Sequence, residues 1–383
     1  MGRRATIGIV YQPDSNWIGG TYYIQNLVQA LKTCADAELP IVKVYCNTQK
    51  DFTEFAAITH YPYLRERLIQ GYPMLYKWWR RINRFLLRKD LPAAHLFARK
   101  SENDVFVYPT NATCLIDKSK ALGWIPDFQE EHLPQYFSQQ EIAKRRAEHS
   151  TLINQHVPIV LSSESARKDL HAFYPESATA KTFVLPFAVT HPDFSQEDKE
   201  ELKERFGIRG AYLFCANQFW QHKNHLFLFK AFLKAKQQGL KLQLVCSGKL
   251  YDNRNPEYIE EIKRFIASNH LEEEIRILGF IERTEQLCMM QNAYAIVQPS
   301  LFEGWSTVVE DAKCLNKFIF LSDLPVHREQ NPANVCFFDP YDEDALTDKL
   351  LKVEPTTTQY DYSNDIHRFG ETVIRIINEL RHD

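Results

Sequence analysis

The 383-residue sequence predicts an α/β chain of two doubly wound domains facing each other across a cleft. Three observations carry that expectation. Strand-like apolar runs alternate with amphipathic helical runs throughout, the pattern of parallel sheets covered by helices. The alternation restarts near residue 211, after a segment bounded by Pro186 and Pro192 that reads as a linker. The length suits about two domains, each able to bury its own core.

In the first half, Thr6–Tyr11 predicts a buried strand, followed by a turn at Gly19-Gly20. Ile24, Leu27, Val28 and Leu31 then share one face of a helix predicted over Thr21–Lys32. Further strands are expected at Val42–Tyr45, Val105–Tyr108, Ala121–Ile125, Ile159–Ser162 and Thr182–Leu185. In the second half, strands are expected at Ala211–Ala216, Leu242–Ser247, Ile275–Leu278, Ala295–Gln298 and Phe318–Ser322. Helices are expected over Lys223–Lys236 and Pro256–Asn269. The domains are therefore drawn at residues 1–188 and 189–365.

Ligands of such folds bind beyond the carboxyl ends of the strands. Gly248, Phe280 and Glu303 all fall just past a predicted strand end. The richest stretch runs from Pro299 to Ala312. A short polar loop there opens into a helix, and free N–H groups at a helix start suit a phosphate. Glu303 lies in the loop and Glu310 about one turn into the helix, so one ligand could touch both. The competing reading is a capping box, in which Glu310 returns to the Thr307 N–H.

Composition excludes several classes. Apolar residues make up 44% and charged residues 25%, as in ordinary globular proteins. A net charge of -3 offers no global field for nucleic acid. No apolar run approaches the length of a spanning helix, and the start of the sequence lacks the apolar core of a signal peptide. The eight cysteines include no CxxC pair and read as buried thiols of a cytoplasmic protein. The sequon at Asn111-Ala112-Thr113 would have no meaning there. Asp342 or Asp344 reads as a helix N-cap rather than a metal ligand, and no metal is expected. Residues 61–100 interleave Lys77, Arg80, Arg81, Arg84 and Arg88 with Tyr76, Trp78, Trp79 and Phe85. Such a stretch either lies on an anionic membrane surface, placing the protein peripherally at the inner membrane, or forms a solvated helix face.

Four segments together resemble the GT-B glycosyltransferases of the "glycosyl transferases group 1" (family four) lineage, which are retaining enzymes with two Rossmann-like domains. They are Gly19-Gly20, the run Trp124–Pro134, the run Ala216–His225, and Glu303–Glu310 continued by Leu321–Glu329. The resemblance covers nearly the whole chain. It implies transfer of a sugar from a nucleotide-diphosphate sugar to a glycan or lipid-linked acceptor, with no other cofactor. It also implies that the last helix, about Ile366–Arg381, crosses back onto the first domain.

The same resemblance distributes roles. Lys223 would meet the leaving diphosphate, helped by the N–H groups of Ser306, Thr307 and Val308 beside Gly304. Glu310 would hold the ribose and Glu303 the sugar hydroxyls. Gly248, Phe280 and Ile281 would cradle the base. Asp127 and His132 would face the donor sugar from the first domain, and Gly19-Gly20 would lie on the acceptor side; an ordinary loop histidine is the competing reading for His132. Two departures stand out. The family spaces its two glutamates with seven residues between them, whereas six separate Glu303 from Glu310. Gln218 stands where the family carries an Arg, five residues before the lysine. That substitution leaves open a non-catalytic sugar-nucleotide-binding subunit; a sugar-nucleotide epimerase is the other alternative.

Overall fold

The computed structural model describes residues 4–13, 18–68, 105–110 and 121–382. Two parallel sheets organise them. The first contains β1 (Thr6–Val10), β2 (Ile41–Cys46), β3 (Leu64–Leu68), β4 (Phe106–Thr110), β5 (Ala121–Ile125), β6 (Ile159–Leu161) and β7 (Thr182–Val184), in the order β3-β2-β1-β4-β5-β6-β7. The second contains β8 (Tyr212–Ala216), β9 (Gln243–Ser247), β10 (Ile275–Gly279), β11 (Ala295–Gln298), β12 (Ile319–Ser322) and β13 (Val335–Phe338), in the order β10-β9-β8-β11-β12-β13. Strand order reverses where β1 meets β4 and where β8 meets β11, so each sheet has a crevice at its switch point.

The continuous apolar strands follow from burial on both faces. All five residues of β8 are buried. One face packs Phe229, Phe232 and Ile262, and the other packs Met289, Met290 and Val309. Each such side chain contributes about 1.5–3 kcal/mol by leaving water.

Several expectations are corrected. Gly19 and Gly20 form the first turn of a helix over Ile18–Leu31 rather than a turn ahead of it. Two strands went unpredicted. β3 reads Leu-Arg-Glu-Arg-Leu, a charged edge strand whose composition hides it. β13 is the edge strand of the second sheet, and only Phe338 of its four residues is fully buried. Because β3 occupies residues 64–68, the start of the basic stretch is strand. Its tryptophans and Lys77, Arg80, Arg81, Arg84 and Arg88 lie outside the described residues, as do Cys114 and the sequon. Among the described residues, no helix is long and apolar enough to cross a membrane. Asp342 does cap the helix Glu343–Lys352, accepting the Ala345 N–H at 2.9 Å.

The helix Ser363–His382 packs on the helix Ile18–Leu31, and its Phe369, Val373, Ile376, Ile377 and Leu380 join the first core. Gly370 allows the approach, since a Cβ there would lie 2.9 Å from the Ala30 carbonyl carbon. The two chain crossings are stitched together: the Val189 N–H donates to Tyr362 Oη at 2.9 Å. Trp305 Nε1 donates to the Phe187 carbonyl, also at 2.9 Å. Across the cleft, the Glu329 carboxylate accepts the N–H groups of Glu164 and Ser165 at 2.7 and 3.1 Å. It thereby caps the helix Glu164–Phe173 with the charge its N-terminus favours.

Candidate active site

Past β8 the chain turns into a single 3-10 turn, Gln221–Lys223. Asn224 follows in the left-handed region at φ 62°, so the long helix starts only at His225. Lys223 thus precedes the helix instead of opening it, and its side chain crosses to the neighbouring loop. Its Nζ lies 2.6 Å from Glu303 Oε1. That oxygen also accepts from Ser300 Oγ at 2.7 Å and Gln298 Nε2 at 2.9 Å. Gln298, the last residue of β11, accepts from Asn217 Nδ2 at 2.7 Å and approaches Ser306 Oγ at 3.3 Å. One polar network therefore joins the Lys223 loop, the end of β11 and the start of the helix Thr307–Cys314.

Two glycines permit this closeness. At Gly248, with φ 147°, a Cβ would meet the Asn217 backbone and lie 2.8 Å from the Gln218 Cα. At Gly304 it would meet the Pro126 carbonyl and lie 2.8 Å from the Asp127 Cβ, so the lobes touch at this residue.

The helix start is partly committed. Ser306 is its N-cap, and its N–H donates to Gln330 Oε1 at 3.1 Å while Gln330 Nε2 returns a bond to the Ser306 carbonyl. The Thr307 and Val308 N–H groups, which have no acceptor within the helix, have no partner among the described residues. The competing capping box does not form, because Glu310 bonds elsewhere. Fully buried, it accepts from Tyr362 Oη at 2.6 Å, Gln330 Nε2 at 2.8 Å and Lys313 Nζ at 3.2 Å. Burial pushes its pKa up, opposed by Lys313 and these hydrogen bonds. Glu310 therefore faces the hinge between the lobes.

Its neighbour Asp311 points the other way. Both its oxygens are held by Arg283, and His191 Nε2 approaches at 2.9 Å. Burial alone would raise its pKa, but Arg283 and His191 outweigh burial and bring it to about 2. Arg283 opens the helix that follows Phe280-Ile281 and lies 5.4 Å from the Tyr22 ring centre in the first lobe. Asp311, not Glu310, thus stands beside the loop expected to cradle a base. Seven residues separate it from Glu303, so a count made at the family's spacing would have found it.

Asp127 Oδ1 accepts the Gln129 N–H at 3.1 Å and lies 3.7 Å from Arg145 Nη1. His132 packs its ring 5.1 Å from that of Phe302 and places Nε2 2.8 Å from Asp169 Oδ2. That hydrogen bond raises its pKa. Both residues meet the Glu303 loop from the first lobe, Asp127 at Gly304 and His132 at Phe302. Phe280 is exposed and Ile281 packs on the second core. Gln218 uses its carbonyl to accept the Trp220 N–H at 2.8 Å. Gly19 is exposed, while Tyr22 of the same helix approaches Arg283 of the second lobe.

Two Rossmann-like lobes, with this polar network at the switch point of one under loops of the other, have the GT-B architecture. Solved structures of similar shape agree. A glycosyltransferase from Rickettsia africae ESF-5 superposes with a TM-score of 0.60 at 15% identity, covering 100% of this chain and 97% of its own. Anabaena Alr3699/HepE, solved with UDP and glucose, gives 0.59 at 13% identity over 98% and 95%. Residues 198–368, within the second lobe, match the family Glycosyl transferases group 1. The O-antigen chain mannosyltransferase RfbU of Salmonella typhimurium is 23% identical over 197 residues, 48% of this chain and 50% of its own length. The chain thus spans about half of that curated relative.

Proposed function

We propose that this chain is a retaining glycosyltransferase that moves a sugar from a nucleotide-diphosphate sugar to a glycan or lipid-linked acceptor. The observation that carries the reading is the Lys223–Glu303 pair, bonded through Gln298 toward Ser306 beneath the opposite lobe. As the glycosidic bond to the diphosphate breaks, negative charge grows on the leaving phosphate. Lys223 and the Thr307 and Val308 N–H groups meet that charge without a metal ion. Glu303 receives hydroxyls of the transferred sugar. Asp311 takes the ribose in place of Glu310, and the backbone around Gly248, Phe280 and Ile281 holds the base. Asp127 and His132 close over the sugar. A leaving-phosphate oxygen takes the acceptor proton, so the reaction needs no protein base.

RfbU is named for O-antigen chain assembly and HepE was solved with UDP and glucose. The mannosyltransferase relative supports a hexose donor and a role in polysaccharide synthesis. The test is incubation with a panel of labelled UDP-, GDP- and dTDP-sugars plus oligosaccharide and lipid-linked acceptors. Nucleoside diphosphate release with an anomer-retained product is the expected result. Isomerised donor would support an epimerase, and tight binding with no turnover a non-catalytic subunit.

A further inference from the structure

Arg254 lies in the loop between β9 and the helix Glu257–Ser268. Asp252 builds that loop, accepting the N–H groups of Arg254 and Asn255 on Oδ1 at 2.9 and 3.3 Å. Its Oδ2 accepts the Gln221 N–H at 2.9 Å, and Asn255 Nδ2 donates to Gln221 Oε1 at 3.0 Å. The Arg254 loop is thereby sewn to the turn that ends in Lys223.

The guanidinium reaches across to the first lobe. It stacks 3.9 Å over the Phe137 ring, and its Nη1 donates to Gln129 Oε1 at 3.2 Å. Its Nε is buried with no hydrogen-bond partner. Glu141 Oε1, the carboxylate oxygen paired with it, stands 3.9 Å away, too far for a hydrogen bond. Arg145 packs against the same ring at 5.2 Å, but Glu130 at 3.0 Å and Asp127 at 3.7 Å match its charge. Arg254 has only the longer Glu141 pair and no hydrogen-bonded carboxylate, although only 15% of its side chain is exposed. Burial and Arg145 accordingly lower its pKa. A guanidinium carries five donors, and removing it from water without a bonded counter-charge is unfavourable. The adjacent loop meanwhile carries neutral Gln218.

We propose that Arg254 is a phosphoryl-binding residue, which with Lys223 receives an anionic phosphate group entering between the lobes. Two sources share that chemistry: the diphosphate of the sugar donor and the phosphate of a lipid-linked acceptor. Which of them delivers the group rests on the transferase reading; the anion site itself does not.

The experiment compares the full chain with Arg254→Gln and Arg254→Lys. Calorimetry measures pyrophosphate, UDP and GDP binding, and kinetics measure transfer to phosphate-bearing and neutral acceptors. Melting temperature checks folding, with the lysine variant retaining the charge should the glutamine variant fold poorly. Tenfold or greater loss of pyrophosphate and nucleotide affinity, partly restored by lysine, assigns Arg254 to the donor. A tenfold rise in KM confined to the phosphate-bearing acceptor assigns it to the acceptor. Values within twofold of the parent throughout overturn the proposal and leave Arg254 a clamp between lobes. A parent that binds pyrophosphate but no nucleoside diphosphate sinks the transferase reading, with Arg254 still judged on pyrophosphate. A parent that binds neither sinks both.

Discussion

Lys223 Nζ and Glu303 Oε1 are 2.6 Å apart, which pairs the cation proposed for the leaving phosphate with the carboxylate proposed for the sugar. Each group holds the other in place at the carboxyl ends of β8 and β11. Lys223→Ala should lower turnover by about 100-fold or more, as loss of a donor to a developing oxyanion does. Donor affinity should fall much less. Turnover within a few-fold of the parent would remove Lys223 from the mechanism.

Glu310 and Asp311 are neighbours held by different partners, and paired substitutions separate the tasks proposed for them. Asp311→Asn should weaken UDP or GDP binding and, by stranding buried Arg283, cost about 3–5 kcal/mol of stability. Glu310→Gln should loosen the Tyr362 crossing and lower the melting temperature while sparing nucleotide affinity. Calorimetric titration of both variants decides it; the reverse pattern would return the ribose to Glu310.

Gly304 has no room for a side chain against Pro126 and Asp127. Gly304→Ala should hold the lobes apart, lowering kcat and raising the donor KM. The fold of each lobe should survive. Small-angle scattering that shows an unchanged shape, with unchanged kinetics, would contradict the contact.

Acid should destabilise the protein early. Burial lowers the pKa of His149 and His327 to about 4 and that of His222 well below its usual value. These groups stay neutral in the fold while the unfolded chain protonates them below about pH 6.5. Stability is therefore full above that pH and declines toward pH 4, at up to about 1.4 kcal/mol per pH unit for each histidine. Asp311 extends the loss between about pH 4 and 2, because the fold keeps it ionised after the unfolded chain has protonated it. Denaturant titrations at pH 7.5, 5.5 and 4.5 measure the slope; a flat profile would contradict the buried neutral histidines.

Transfer should persist in excess EDTA, since Lys223 and the helix-start N–H groups are proposed to carry the charge otherwise given to a metal. Loss of activity restored by Mg2+ or Mn2+ would require a cation in the cleft.

The local pattern alone determined the alternation of strands and helices, the restart near residue 211, and the loops that carry Lys223, Glu303 and Gly248. Those features are written in residue type and period, which adjacent residues settle between themselves. Tertiary structure decided the rest. β3 was illegible because an edge strand needs apolar residues on one face only. Glu310 and Asp311 differ by one position, about 100° around a helix, and only the packing of Arg283 on one side and Tyr362 on the other shows which faces the cleft. The Arg254–Gln129 and Gly304–Pro126 contacts join segments more than a hundred residues apart. No local pattern encodes such meetings, because they arise where two finished lobes touch.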